Sequence, residues 1–356
     1  MHEPVSVAEA AWSPLLSSLT LERLTGLALA AFEAGWLSLP GGQAEQELRE
    51  AQLNAMLWSL MLERRLLAVV DVLEEAGVEA VVLKGAALAH TVYPDSSWRP
   101  FGDLDLLVRT RDWDRITSLL VELGMRRRLP EPRPGFDKRF GKAAVFIGGD
   151  GAEVDLHRTL TAGPFGFWID TDELIDRAVP FEVGGRRLRR LDDTALLLHA
   201  SIHASLGWRP PLLWTLRDVA QTARSDQVVW DDLLRLAKRW RMQAVLAHSL
   251  RTVRATLGVE LPLNSGMFEA VRPPRRERRL VEAYTTDRRS RGGAVLATIR
   301  ALPGLRSRAA FLWAMMFPSR EFMAARTGSS RPSYVRRWLV PTTWVIRRGH
   351  RKVGRR

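Results

Sequence analysis

The chain has 356 residues, of which 46% are hydrophobic and 26% charged, a composition that suits two or three domains with real cores. It has no cysteine, which excludes disulfides and thiolate metal sites. Its apolar runs are far shorter than a membrane span, and residues 1–14 lack the basic-then-apolar pattern of a secretory signal, so the expected compartment is the cytoplasm.

In chain order, apolar residues recur at helical spacing from Val5 to Trp36 (Leu15, Leu19, Leu24, Phe32) until Leu39-Pro40-Gly41-Gly42 interrupts them. A long helix is expected from Ala44 to Ala76, with Gly77 as its stop. Val78 to Leu83 is a continuous valine-rich run, the pattern of a buried central strand. Ala86 to Tyr93 allows one or two helical turns. Asp112 to Leu123 predicts an amphipathic helix, and Met125 to Phe140 a polar, basic, proline-rich loop with a short strand beside the site. Ala143 to Ile147 and Ala152 to His157 are strands joined by the hairpin signal Gly148-Gly149-Asp150-Gly151. A second hairpin is expected at Val179–Val183 and Leu188–Leu191. From Asp192 on, the pattern is helical: Thr194–Leu206, with Asp192 or Asp193 as cap, then Pro211–Ala223, Trp230–Trp240 and Gln243–Leu257. The division expected is 1–77, 78–191, 192–271 and 272–356.

The last of these segments carries the positive charge: residues 272–356 hold 22 Lys+Arg against 4 Asp+Glu, while the rest hold 31 against 36. Such a tail fits nucleic acid, anionic lipid or an acidic partner. It equally fits a solvated Arg-rich surface of the kind found in high-GC bacterial proteomes. If it binds nucleic acid, Arg275, Arg276, Arg278, Arg279, Arg336 and Arg337 would supply the phosphate contacts. Phe311, Leu312, Trp313, Met316 and Phe317 at helical spacing favour packing on the helical domain instead.

The chemistry points to one stretch. Asp103 and Asp105 flank Leu104 on a strand, so both carboxylates face the same way while Leu104 and Leu106 face the core. Like charges side by side cost energy unless a cation lies between them. With oxygen ligands and a phosphate completing the shell, that cation is Mg²⁺. Asp155, between Val154 and Leu156, is a third strand acid of the same kind. His157 lies on the same strand face as Asp155.

Leu83-Lys84-Gly85, Arg99, Asp103-Leu104-Asp105 and Val154-Asp155-Leu156-His157, in that order, resemble the polymerase-beta-like nucleotidyltransferase superfamily. More narrowly they resemble the uncharacterised nucleotidyltransferase family with an LKG turn. His199 and His203 in a leucine-rich helix, Leu216-Arg217-Asp218-Val219-Ala220 and Ser333-Tyr334-Val335-Arg336-Arg337 are similar to its later regions. The resemblance implies an α+β fold, a small mixed sheet flanked by helices and followed by a helical domain. It implies transfer of a nucleoside monophosphate from an NTP to an acceptor hydroxyl or phosphate, with Mg²⁺ (or Mn²⁺). Asp103, Asp105 and Asp155 would hold the metals and do the catalysis, with Asp155 able to take the proton of the attacking hydroxyl. Lys84, Gly85 and Arg99 would meet the nucleotide phosphates: Gly85 by letting backbone N–H groups approach, Lys84 as a point charge, Arg99 by phosphate contact or by neutralising the acids. His157 would support Asp155. The acceptor and the base are open. A catalytically silent nucleotide-binding scaffold and a nucleic-acid-binding protein acting through the tail are the alternatives. His199 and His203 share a helix face, but their pattern predicts core packing rather than zinc, as do Trp208, Trp214, Trp230 and Trp240 for base stacking.

Overall fold

The computed structural model describes residues 3–262, 272–285 and 291–328. The fold is α+β. The N-terminal part runs β1 (Val5–Ser6), α1 (Glu9–Leu21), α2 (Thr25–Glu33), β2 (Leu37–Ser38) and α3 (Gly42–Glu75). The periodicity that predicts helix from Val5 to Trp36 is broken in the middle. The Leu24 N–H donates to the Leu19 carbonyl at 2.8 Å and the Arg23 N–H to that of Thr20 at 3.2 Å, with Arg23 at φ 53°. This is a helix-ending loop whose left-handed position is usually glycine. With arginine there, no residue in the sequence signals the break. The short parallel pair β1–β2 was not expected either.

In α3, Leu62, Leu66, Val69 and Leu73 fall on one face and are fully buried. They pack in one core with Val82, Leu104, Leu106 and Val154. Removing each of these side chains from water is worth roughly 1.5–3 kcal/mol.

The main sheet has seven strands: β3 (Ala80–Val82), β4 (Leu104–Val108), β5 (Arg126–Arg127), β6 (Ala143–Ile147), β7 (Glu153–His157), β8 (Val179–Val183) and β9 (Arg186–Arg190), in the order β5-β6-β7-β4-β3-β9-β8. The sheet is mixed: β4 is antiparallel to β3 and parallel to β7. Both expected hairpins form, β6–β7 and β8–β9. Around the sheet lie α4 (Ala86–Thr91), α5 (Trp113–Glu122), α6 (Phe136–Phe140) and α7 (Thr171–Asp176).

Alternation along β3 and β4 sends side chains into two cores. Val82, Leu104 and Leu106 face α3 and α5. Val81, Leu83 and Leu107 face a helical bundle made of α8 (Asp193–Leu206), α9 (Leu213–Thr222), α10 (Trp230–Arg239), α11 (Gln243–Leu257) and the helix Arg275–Thr285. Asp192 caps α8 by accepting from the Ala195 N–H at 2.8 Å. Odd-numbered Asp105 is therefore on the bundle side of the sheet, not among the leucines under α3.

The C-terminal segment departs from expectation. Phe311, in the helix Gly304–Met316, packs on Phe136 and Phe140 of α6, with ring centroids 6.1 and 5.6 Å away. Ser319 N–H donates to the Pro132 carbonyl at 2.7 Å. This part of the tail thus packs on the 130–140 segment rather than on the helical domain. The reason is the short helix α6, absent from the sequence expectation, which gives an otherwise polar loop an apolar face. Leu312, Trp313, Met316 and Phe317 stay 36–56% exposed. The helix Arg275–Thr285 does join the bundle, through Val281, and leaves Arg275, Arg276, Arg278 and Arg279 exposed. Ser333–Arg337, with Arg336, lie outside the described residues. Among the described residues no helix is long and apolar enough to cross a membrane.

Candidate active site

The site forms where β4 and β7 run side by side. Their parallel register pairs Asp105 with Asp155 and Leu107 with His157, so Asp105, Asp155 and His157 share one sheet face. One ligand atom from each of these three lies within 4.8 Å of the others. Asp103 precedes β4 and sits at the rim, with 30% of its side chain exposed. It is near the three but not part of their cluster.

Asp105 is fully enclosed, and both its oxygens are used. Lys84 Nζ lies 2.9 Å from Oδ2, and His157 Nε2 lies 2.8 Å from Oδ1. Burial alone would raise the Asp105 pKa, but the Lys84 charge and the His157 hydrogen bond outweigh it and hold the carboxyl well below its usual range. Asp155 has no such support. Burial, then the charges of Asp105 and Asp103, push it up to about 6. His157 is pushed down to about 4, by burial first and then by Lys142, and is neutral at neutral pH. Its two ring nitrogens face two oxygens, Asp105 Oδ1 at 2.8 Å and the Thr159 carbonyl at 3.2 Å. Two adjacent carboxylates thus have opposite proton affinities, a separation that marks acid–base sites.

Lys84 is buried between the acids, with Asp103 Oδ2 4.0 Å away. It meets the acid pair, where the sequence reading placed it at phosphate. Gly85 has φ +62°, and a Cβ there would lie 3.2 Å from the Phe101 ring. Only glycine suits both the backbone and the neighbour. The turn it makes aims Lys84 at Asp105.

Arg99 is placed differently from its expectation at the phosphates. It is 2% exposed, and its guanidinium makes a two-pronged pair with Asp218, Nε to Oδ1 at 2.6 Å and Nη2 to Oδ2 at 2.8 Å. Tyr93 Oη also donates to Asp218 at 2.7 Å. A phosphate contact would have to break this buried pair, so Arg99 acts by clamping the segment before Asp103 onto α9. Leu216–Ala220, singled out by the resemblance, has a physical reason in that clamp.

Sequence reasoning missed Lys142 and Arg23 here, and read His199 only as core packing. Lys142 charge reaches His157 and Asp155. His199, on the sheet-facing side of α8, is buried and held well below its ordinary pKa by burial and then by Lys84. His203 instead tilts on Trp214 at 5.2 Å. Arg23, from the α1–α2 turn, lies against Gly102 and over Trp214. Nothing local to these positions marks them. They meet the acids only through tertiary packing.

A sequence model of a family described as "Uncharacterised nucleotidyltransferase" matches residues 8–258. The chain belongs to this family. The match spans the N-terminal helices, the sheet and α8–α11, and so includes every residue of the site. Among solved structures, the chain is similar to the antibiotic-resistance factor ANT(2'')-Ia in its solution structure: 14% identity, TM-score 0.35, covering 56% of this chain and 96% of that one. It is also similar to an antigenic nucleotidyltransferase-like protein from Paracoccidioides brasiliensis: 14% identity, TM-score 0.33, covering 60% and 96%. Likenesses of that size carry no argument about activity. Comparison with curated proteins gave no match.

Proposed function

We propose that the protein is a Mg²⁺-dependent nucleotidyltransferase that moves a nucleoside monophosphate from an NTP to an acceptor hydroxyl or phosphate. The observation that carries this reading is the register pairing of Asp105 with Asp155, with Asp103 at the rim two residues before. The donor set fits a hard cation. Asp105 and Asp155 offer oxygens within 4.8 Å of each other and of a His157 nitrogen. Asp103, Asp105 and Asp155 would hold Mg²⁺ (or Mn²⁺), with phosphate oxygens completing the shell. Bound there, the cation neutralises charge building up on the phosphates during displacement.

The chain's own groups do the rest. Asp155 accepts the proton of the acceptor hydroxyl. The acceptor oxygen forms its bond to the α-phosphorus, the α–β bridging bond breaks, and pyrophosphate leaves with the electron pair. Lys84 balances the charge of Asp105 and Asp103. His157 fixes Asp105, with its other nitrogen 3.2 Å from the Thr159 carbonyl.

Calorimetric titration with Mg²⁺, with and without each NTP, tests the reading. Tighter Mg²⁺ binding when an NTP is present supports it. Unchanged Mg²⁺ affinity in an Asp103→Asn, Asp105→Asn double variant contradicts it.

A further inference from the structure

Arg23 is placed where the sequence reading wanted Arg99. It is 76 positions earlier in the chain, in a turn that periodicity reads as mid-helix. Its guanidinium lies against the backbone of Gly102, one residue before Asp103: a Cβ on Gly102 would sit 2.8 Å from an Arg23 Nη. It stacks on the Trp214 ring at 4.9 Å, and Arg99 covers the same indole at 4.5 Å. The two arginines differ in one respect. Arg99 is neutralised by Asp218, whereas among the described residues no carboxylate pairs with Arg23. Asp103 is the acid whose charge acts on it most strongly. Arg23 is partly buried and reaches the surface.

The turn that presents it is anchored on three sides. Glu22 Oε2 accepts from the Leu213 N–H at 2.7 Å. Thr25 Oγ1 donates to Gln52 Oε1 at 2.7 Å, and Gln52 Nε2 to the Ser97 carbonyl at 2.7 Å. Gly26 lies so close to Ser97 that a Cβ would come within 2.5 Å of its carbonyl. Within this fixed turn, Arg23 itself holds φ 53°, the position glycine fills in most such helix ends. An arginine there is strained for its backbone and unpaired in its charge. Both features have a reason if the side chain serves a ligand.

We infer that Arg23 is a phosphate-binding residue, a fork that grips the β- and γ-phosphates of the nucleotide beside Asp103. Arginine suits this because its planar donors engage two phosphate oxygens at once, and the Trp214 stack orients the plane. The N-terminal helices then complete the active site rather than merely flank it. This inference rests on the nucleotidyl-transfer reading.

The test uses inorganic tripolyphosphate with Mg²⁺, which needs no knowledge of the base, together with the NTP that wild type prefers. The variants are Arg23→Gly, which suits the backbone better than arginine, Arg23→Gln and Arg23→Lys. Expected results are a Arg23→Gly protein that melts no lower than wild type, at least tenfold weaker tripolyphosphate binding for Gly and Gln, and a smaller loss for Lys. If Arg23→Gly and Arg23→Gln bind tripolyphosphate and NTP within twofold of wild type, this inference falls while the transfer reading stands. If wild type neither binds a triphosphate nor transfers a nucleotide, both fall.

Discussion

Lys84 Nζ lies 2.9 Å from Asp105 Oδ2, with both side chains nearly sealed from solvent. The chain therefore carries its own cation against the acid that the metal would use. Removing one partner of a buried pair typically costs about 3–5 kcal/mol, because the other charge is left uncompensated. Lys84→Met should lower stability by about that much in EDTA. Mg²⁺ should restore more of it than it adds to wild type, since the acids then have only the ion. Thermal melts with and without Mg²⁺ check this. A variant as stable as wild type in EDTA means that Lys84 is not what balances Asp105.

Asp155 gives the pH dependence. Its pKa in the folded protein is about 6 against an ordinary 3.8. A carboxyl raised on folding favours the native state while protonated, and that contribution is lost as pH rises through about 6. Asp155→Asn should thus gain stability over wild type at pH 8, on the order of 3 kcal/mol, and show no gain near pH 3.5. Turnover with Mg²⁺ should be lost in the Asn variant. Urea unfolding at the two pH values, without metal, decides. Equal stabilities at pH 8 contradict the raised pKa.

The Arg99–Asp218 clamp predicts a structural phenotype. Asp218→Asn leaves a buried guanidinium half-paired and removes the charge that Tyr93 Oη donates to. A loss of about 3–5 kcal/mol is expected, visible as a lower urea midpoint. Were Arg99 a phosphate ligand, Asp218→Asn would leave stability nearly intact.

Phe311→Ala should loosen the 130–140 segment by removing the ring between Phe136 and Phe140. A loss of about 3 kcal/mol is the usual size for a buried phenylalanine. Faster amide exchange confined to residues 130–140 is the expected sign. Unchanged exchange there means that the tail does not hold this segment.

The parts of the fold that were legible are those where pattern and local signal agree. Gly148–Gly151 between two alternating runs gave the β6–β7 hairpin. Val78–Leu83 gave a central strand, and Asp192 gave a cap. Asp105 and Asp155 were legible as strand acids because each stands between apolar strand residues, whereas Asp103 lies before β4 at the rim. The α1–α2 break was not legible, because Arg23 fills a position that glycine normally marks. Helix α6 and the seat of Phe311 were hidden because five residues of helix carry too little periodicity to show. The seat of Arg99 was hidden for a related reason. Distance along the chain favoured Arg99, while Asp218, 119 residues away, claims it in three dimensions.

Transfer through the Asp105–Asp155 pair would leave a labelled acceptor and free pyrophosphate. Wild type and Asp105→Asn are incubated with each α-³²P-labelled NTP, Mg²⁺ and a cell extract as the source of acceptors. Label bound to a new species and pyrophosphate release are followed together. The account predicts labelling with at least one NTP, matched mole for mole by pyrophosphate, and abolished in Asp105→Asn. Labelling by Asp105→Asn at the wild-type rate, or no labelling by wild type with any of the NTPs, contradicts it.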